Sequence, residues 1–315
     1  MSPIEAIIQG IIQGITEFLP ISSSGHLSIS KHIFDIHMPG ILFDIMLHLG
    51  TLVAVVFVYR ETIGCLILEF FKCIGDIVRG KFKWSEMSEA RRLLIMLVIG
   101  LVPLFFLFIP IPGTDMKIKD LSELFSTDND IVVEGAALLV TALLLFLGIR
   151  SSKRTKPLRR IGAHARPDPV QGRTAVTVKD AIIIGITQFF AALFPGISRS
   201  GSTLSAGLMS GLNKQTALDY SFVLGIPAIL AAAVVSVSDV APGDIEQIGG
   251  VVILGIGVVV SAVVGFLAIK LLRWLLKSDR LQIFAYYTLI AGGIVLIVGI
   301  AEHVLGKNLF TGTLL

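Results

Sequence analysis

The feature that most constrains this chain is a series of apolar, sparsely charged stretches that recurs along its whole length. A helix needs about 20 such residues to cross the roughly 30 Å hydrocarbon core of a bilayer. Only 16% of the residues are charged, against about 25% in soluble domains. We therefore expect an all-α polytopic membrane protein with six transmembrane helices, at 41–60, 89–110, 129–150, 214–238, 247–270 and 282–304.

Two further apolar segments run directly into a proline and then into a Ser-rich turn. Pro20 ends the segment that starts at residue 3, and Pro195 ends the one that starts at residue 178. Proline stops a helix because it lacks an N–H and clashes with the preceding turn. Non-helical backbone persists at membrane depth only where it is buried in protein or lines a cavity. These segments therefore predict two re-entrant helical hairpins, 3–34 and 178–210.

The two hairpins resemble each other in sequence. Gln13 lies seven residues before Pro20, and Gln188 lies seven residues before Pro195. The span after each hairpin repeats an Asp six residues before a Gly, as Asp44 and Gly50, and as Asp219 and Gly225. Each copy would hold one hairpin and three spans, and an odd number of crossings turns the second copy upside down. The pattern predicts inverted repeats whose broken helices meet near the midplane.

Basic residues alternate between the connections that join the spans. Seven Lys or Arg fall from Arg60 to Arg92, eight from Arg150 to Arg173 and four from Lys270 to Arg280. The connection 111–130 has two and 237–247 has none. Because cytoplasmic loops collect Lys and Arg, we expect a multi-pass plasma-membrane protein with both termini outside. The first hairpin would open outward and the second would enter from the cytoplasm.

These boundaries divide the chain into two repeats joined by a basic loop. The stretch 61–80 mixes charged with apolar residues and predicts an amphipathic helix at the inner interface. The predicted organisation is a first repeat, 1–150, with hairpin 3–34, spans 41–60, 89–110 and 129–150, and interfacial helix 61–80; a basic cytoplasmic loop, 151–176; and a second repeat, 177–315, with hairpin 178–210 and spans 214–238, 247–270 and 282–304.

Polar side chains concentrate at the two hairpin breaks. Glu17 lies one helical turn before Pro20, and Gln13 lies four residues earlier on the same helical face. A carboxylate and an amide oxygen suit a hard divalent cation, Mg²⁺ or Ca²⁺, so Glu17 and Gln13 are candidate metal ligands. Alternatively, Glu17 binds a neighbouring helix or forms an ion pair with Arg199.

The first break presents hydroxyls and an imidazole where a new helix should start, in the run Pro20-Ile-Ser22-Ser23-Ser24-Gly25-His26. Free N–H groups and hydroxyls at a helix start suit a phosphate. His26 could act as an acid or base near neutral pH. A helix-capping loop with a packed histidine would explain the same residues, and both interpretations stay open.

The second break, Pro195-Gly-Ile-Ser198-Arg199-Ser200-Gly201-Ser202-Thr203, places Arg199 at membrane depth. A guanidinium there needs an anionic partner, and its planar fork binds phosphate oxygens two at a time. Together the two loops suit phosphoryl transfer at the membrane, although a purely structural pair of Arg199 with Glu17 remains an alternative. The candidate substrate-binding residues are Gln13, Ser22, Ser24, Gly25, Gln188, Ser198, Ser200, Gly201 and Thr203.

Other polar residues give weaker signals. Asp44 and His48 are four residues apart on one helical face, where a ligand pair is conceivable and hydrogen bonding between helices is the simpler expectation. Asp219, Glu134 and Tyr220 fall near span ends, where caps and interface anchors are ordinary. We assign none of these a catalytic role.

The runs Glu17-Phe-Leu-Pro-Ile-Ser-Ser-Ser-Gly-His26 and Pro195-Gly-Ile-Ser-Arg-Ser-Gly-Ser-Thr203 resemble the two signature motifs of the bacitracin-resistance type undecaprenyl-diphosphate phosphatases. The resemblance extends over nearly the whole chain. It implies hydrolysis of the lipid carrier diphosphate to the monophosphate and phosphate, with a divalent cation and a site open to the extracytoplasmic side. Glu17, Ser23, His26 and Arg199 match the family's essential positions and are the candidate catalytic residues, and Gln13 matches a more variable Glu/Gln position.

The resemblance further implies recycling of the carrier for cell-wall or glycan synthesis and resistance to bacitracin. The implied partners are a polyprenyl diphosphate and the bilayer. The sequence has no arginine-rich tract interleaved with aromatic residues, so nucleic acid is not an expected partner. A homo-oligomer stays open. Whether Ser23 or a water attacks phosphorus also stays open.

The main rival function is a polyprenyl-phosphate flippase or secondary transporter, because inverted repeats with broken helices also build transporters.

Overall fold

A computed structural model describes residues 1–34, 36, 41–124, 131–154 and 172–314, and every regular element in this part is helical. The predicted all-α class is therefore confirmed. The α-helices are α1 (Pro3–Phe18), α2 (Ser23–Phe34), α3 (Leu42–Val58), α4 (Arg60–Val78), α5 (Glu89–Leu101), α6 (Leu121–Leu124), α7 (Val132–Arg154), α8 (Val178–Leu193), α9 (Arg199–Met209), α10 (Lys214–Ser236), α11 (Asp244–Ile248), α12 (Val251–Lys277) and α13 (Gln282–Leu305). Short 3-10 segments lie at Trp84–Glu86, Val102–Phe108, Ile118–Asp120 and Val237–Asp239.

Among the described residues, length and composition allow five straight spans and one bent candidate. The straight spans are Glu89–Phe108, Val132–Arg154, Lys214–Asp239, Val251–Lys277 and Gln282–Leu305. The bent candidate is α3 followed by α4, which meet at an angle of 86°. A bend of that size turns α4 away from the direction of α3, and its exposed side includes Ile67, Leu68 and Phe71.

One predicted span is displaced along the chain. The sequence places it at 247–270, whereas α12 runs from Val251 to Lys277. Gly249 and Gly250 have φ angles of 111° and 90°, a left-handed backbone that glycine adopts at no steric cost. They separate the short α11 from α12, so the long helix starts later. Its last two turns carry Lys270, Arg273 and Lys277, and the Arg273 guanidinium lies 4.6 Å from the centre of the Tyr59 ring.

Parts of two predicted elements lie outside the described residues. These are the first two residues of span 129–150 and positions 155–171 of the basic loop 151–176.

The helix α9 forms the centre of the molecule. Its residues from Ser200 to Leu208 are all buried, and it packs against α7, α8 and α10. The hairpin helix α1 packs on α12, and its counterpart in the second hairpin, α8, packs on α5. The packing places both hairpin tips inside the protein, where their broken backbone is shielded from lipid.

Helices α3 and α10 pack against each other and run in opposite directions. The start of α3 and the end of α10 line one cavity, while the end of α3 and the start of α10 line another. These are the two spans that repeat the Asp and Gly pattern, and an antiparallel relation between them is what an inverted repeat requires.

Candidate active site

Each hairpin breaks for the same local reason. The helix α1 ends at Phe18, just before Pro20. Ser22, which immediately precedes α2, has a φ of 76°, in the left-handed region that non-glycine residues rarely occupy. The Ser22 hydroxyl accepts a hydrogen bond from the Gly25 N–H at 3.2 Å. At the other tip, the Ser198 hydroxyl caps α9 by accepting from the Gly201 N–H at 3.1 Å. Each tip therefore ends in a serine-capped helix start.

The two tips touch. The Ser200 hydroxyl donates a hydrogen bond of 3.4 Å to the Leu19 carbonyl, across the boundary between the hairpins. A Cβ on Gly201 would lie 3.2 Å from the Pro20 carbonyl oxygen, so the backbones approach too closely for most side chains. The Ser198 N–H donates to the Thr141 hydroxyl of α7 at 3.1 Å, which fixes the second tip to the bundle.

Glu17 is the polar centre of this contact. Its Oε1 accepts a hydrogen bond of 2.6 Å from an Arg199 terminal nitrogen. Its Oε2 accepts from the Ser23 hydroxyl at 2.8 Å and from Gln13 Nε2 at 3.0 Å. The His48 Nε2 lies 3.6 Å from the same oxygen. The side chain is only 5% exposed, and a carboxylate so deeply buried needs this ring of donors to offset its lost hydration.

Arg199 is held in place from two directions. One terminal nitrogen binds Glu17, and the other donates to the Gly225 carbonyl of α10 at 3.0 Å. A guanidinium has five N–H donors, so these two contacts leave others for a ligand. The predicted pair of Arg199 with Glu17 is present, and 24% of the Arg199 side chain stays accessible. The pair is therefore open to the pocket.

The tips face a pocket of about 580 Å³, which we call the tip pocket. Its polar lining comes from both hairpins, from α3 and from the connections that follow α5 and α10. Its apolar wall includes Leu104, Leu107, Phe108, Ala191, Ala192, Ile197, Ala228 and Ile229. A pocket that combines charged and hydroxyl side chains with an extensive apolar lining fits an amphiphile with an anionic headgroup.

The tip pocket brings together seven of the residues that the sequence singled out: Glu17, Ser23, Ser24, Gln188, Ser198, Arg199 and Ser200. Gln13 contacts the pocket through Glu17, while Ser22, Gly25 and Gly201 shape the two helix starts. Thr203 lies one turn deeper, where its hydroxyl donates to the Arg199 carbonyl at 2.9 Å. The Gln188 amide is buried without a hydrogen-bond partner in the described part of the chain.

His26 is placed differently from this group. Its Nδ1 lies 2.7 Å from the Ser22 carbonyl and its Nε2 lies 2.8 Å from the Tyr287 hydroxyl of α13. Its ring stacks on Tyr287 with the centroids 5.7 Å apart, and it is not among the described residues that line the tip pocket. The imidazole that lines the pocket is His48, whose Nδ1 lies 2.8 Å from the Asp44 carbonyl. That contact turns Nε2 toward Glu17.

The donor set is compatible with a divalent cation that is completed by substrate. Gln13 Oε1 is buried with no hydrogen-bond partner among the described residues, and it lies on the side chain that contacts Glu17. Within the same residues, no group of three or more His, Cys, Asp or Glu could hold a metal by itself. Mg²⁺ commonly binds through one or two protein oxygens and the phosphates of its substrate.

A comparison with known families matches residues 6–294 to the family described as bacitracin resistance protein BacA. The chain belongs to this family. Among curated members, "Undecaprenyl-diphosphatase" of Desulfosudis oleivorans is 37% identical over 300 residues, covering 95% of this chain and 99% of the relative. "Undecaprenyl-diphosphatase" of Methanobrevibacter smithii is 36% identical over 304 residues, with 96% and 99% covered. The resemblance found in the two sequence motifs is confirmed.

In this member of the bacitracin resistance family, some pocket residues lie outside the two motifs. His48, Asp44, Lys119 and Asp239 line the tip pocket together with the hairpin tips. The sequence offered one signal for them, the helical spacing of Asp44 and His48. Lys119 and Asp239 follow the ends of spans, and no local pattern in the sequence marks them as neighbours of Glu17.

Proposed function

We propose that this protein is an integral membrane phosphatase that hydrolyses undecaprenyl diphosphate, or a related polyprenyl diphosphate, to the monophosphate and inorganic phosphate. The observation that carries the proposal is that Ser23 and Arg199 both contact Glu17 in a single pocket whose lining fits an amphiphile. The family membership, with relatives named undecaprenyl-diphosphatase, supports the substrate class. The reaction would return the lipid carrier to cell-wall or glycan synthesis and confer bacitracin resistance.

The substrate would bind with its polyprenyl tail along the apolar wall and its diphosphate at the hairpin tips. Arg199 would direct its remaining N–H groups at the terminal phosphate, where two helix starts also present N–H groups. Such donors are already oriented before the reaction, so they stabilise charge that develops on phosphate oxygens without reorganising.

Ser23 is the nucleophile that the geometry favours. Its hydroxyl already donates to Glu17 Oε2 at 2.8 Å, within the range for proton transfer to a general base. The Ser23 oxygen would form a bond to the terminal phosphorus as the proton passes to Glu17. The bond from that phosphorus to the bridging oxygen breaks, and the lipid monophosphate leaves. A water oxygen then bonds to phosphorus, the bond from phosphorus to the serine oxygen breaks, and Glu17 returns its proton to that oxygen as phosphate leaves.

Gln13 and His48 would support Glu17 in this scheme. Gln13 donates to the same oxygen as Ser23, and it orients the carboxylate. His48 lines the pocket beside that oxygen, so it is placed to contact the phosphate, whereas His26 packs against α13. A bound Mg²⁺ or Ca²⁺ would be held by Glu17 and Gln13 together with the diphosphate, and it would neutralise phosphate charge.

The tip pocket would open to the extracytoplasmic side of the plasma membrane. This orientation follows from the charge pattern. The connections at the ends of the spans opposite the tip pocket hold most of the Lys and Arg residues, which is typical of the cytoplasmic side. Ser24 is exposed at the pocket, so a Ser24→Cys variant should react with a membrane-impermeant thiol reagent added to intact cells. Reaction only after the cells are opened would contradict this orientation.

The decisive assay measures phosphate released from a polyprenyl diphosphate by the purified protein, with and without Mg²⁺ or Ca²⁺. We expect release by the wild type and at least a 10²-fold lower rate in Glu17→Ala, which loses the general base, and in Arg199→Ala, which loses a transition-state donor. A phosphoenzyme trapped by rapid acid quench should be absent in Ser23→Ala. Full activity of Ser23→Ala would remove Ser23 as nucleophile. Lipid transport without phosphate release would favour the flippase alternative.

A further inference from the structure

The tip pocket contains a second basic side chain that the proposed reaction does not use. Lys119, in the 3-10 turn Ile118–Asp120, lines the same pocket as Arg199. In the part of the lining that the structure describes, these are the only Lys or Arg side chains. A diphosphate has two phosphoryl groups, and Ser23 and Arg199 engage the terminal one.

The chain around Lys119 is folded so that this side chain lies at the pocket. After the 3-10 segment that ends the second span, the backbone turns back on itself, and the Ile118 N–H donates to the Ile109 carbonyl at 3.0 Å. The Asp120 carboxylate then accepts from the Lys117 N–H at 2.6 Å and caps the turn. This fold packs the turn of Lys119 against the segment that supplies the apolar wall.

The acidic neighbours of Lys119 do not hold it firmly. Asp120 Oδ1 lies 3.4 Å from Lys119 Nζ, in a pair that is partly exposed. The hydrogen bond from the Lys117 N–H lowers the pKa of the Asp120 carboxyl, so Asp120 stays ionised. A partly exposed pair of this length contributes little. Asp44, which also lines the pocket, is already paired with Lys31 at 2.6 Å. Glu17 is paired with Arg199, and Asp239, which also lines the pocket, forms no ion pair with Lys119 among the described contacts. The Lys119 ammonium can therefore turn to a phosphate.

We propose that Lys119 binds the lipid-side phosphate of the substrate and makes the protein prefer diphosphates to monophosphates. This inference rests on the proposed function. Arg199 holds the terminal phosphate at the tips, and the tail leaves along the apolar wall that adjoins Lys119. Because Lys119 and Arg199 line one cavity, the phosphate that joins the tail would be the one that Lys119 binds. A monophosphate has one phosphoryl group and cannot bind both cations in this way.

The test compares Lys119→Gln with Lys117→Gln in steady-state kinetics at constant ionic strength. Lys117 belongs to the same turn and is exposed, and it is not among the described residues of the pocket lining. Loss of a ground-state charge contact should raise KM for the polyprenyl diphosphate about tenfold and leave kcat within about twofold. The preference for diphosphate over monophosphate, measured as a ratio of kcat/KM, should fall by about the same factor. Lys119→Arg should restore most of it.

Inorganic phosphate provides the internal control, because it occupies the terminal-phosphate position at Arg199. Its inhibition constant should be unchanged in Lys119→Gln. An unchanged KM for the diphosphate, or an equal rise in Lys117→Gln, would overturn the role of Lys119. Equal effects on the diphosphate and on inorganic phosphate would also overturn it. If the wild type hydrolyses no diphosphate, the proposed function itself fails, so the two failures are distinguishable.

Discussion

The substitution Gly225→Ala should lower the activity of the site by displacing the Arg199 side chain, although Arg199 itself is unchanged. A Cβ at Gly225 would lie 2.6 Å from an Arg199 terminal nitrogen and 3.2 Å from its Cζ. Ordinary contact begins near 3.4 Å, so the guanidinium must withdraw by at least 3.4 − 2.6 = 0.8 Å. A misplacement of about 1 Å at a reacting centre can lower the rate about 10²-fold. That factor corresponds to about 2.7 kcal/mol of transition-state stabilisation.

The fold should survive this change, because the obstructing atoms are the end of a flexible side chain. We expect Gly225→Ala to lower kcat/KM for the polyprenyl diphosphate about 10²-fold, with little change in the thermal unfolding midpoint in detergent. Gly255→Ala is the matched control, since a Cβ at that lipid-facing position of α12 meets no atom within 4 Å among the described residues. Its activity should equal that of the wild type.

A double-mutant cycle isolates the route through Arg199. In an Arg199→Ala background, the substitution Gly225→Ala should have no further effect on kcat/KM, because the side chain that it displaces is gone. Wild-type activity of Gly225→Ala would refute the reasoning. The same loss in both backgrounds would also refute it, because the effect would then not act through the guanidinium.

Three further predictions follow from the contacts. His48→Gln should lower kcat/KM about tenfold or more, as expected for a group at the reacting atoms, while His26→Gln should stay within a few-fold of the wild type; the reverse order in a steady-state assay would contradict the pocket geometry. Glu302→Ala removes a fully buried carboxylate that binds His32 at 2.9 Å. It should lower the free energy of unfolding by about 1–3 kcal/mol and leave kcat unchanged. An unaltered unfolding midpoint would contradict this structural role of Glu302. Gly185→Ala places a Cβ 2.5 Å from a backbone carbonyl oxygen of α5 and should cost about 1–3 kcal/mol by overpacking; a midpoint equal to that of the wild type would show that the helices can separate freely.

Much of the architecture could be predicted from local sequence, because the responsible forces act locally. Apolar length sets the spans, and Pro20 and Pro195 end α1 and α8 whatever surrounds them. Hydropathy alone predicts too early a start for α12, because it does not register the backbone break at Gly249 and Gly250. The motif residues Glu17, Ser23 and Arg199 could be named from their cost at membrane depth and from the family resemblance.

The tertiary structure decided which of those residues share a pocket. The sequence of each hairpin determined that its polar tip must be buried in protein or line a cavity, since non-helical backbone does not persist at membrane depth elsewhere. Packing between the two halves then set Glu17 against Arg199, 182 positions apart. It directed His48 toward the carboxylate and His26 toward Tyr287, and it placed Lys119 in the same lining. Local pattern could not supply these facts, because a side chain's direction depends on which distant helix it packs against.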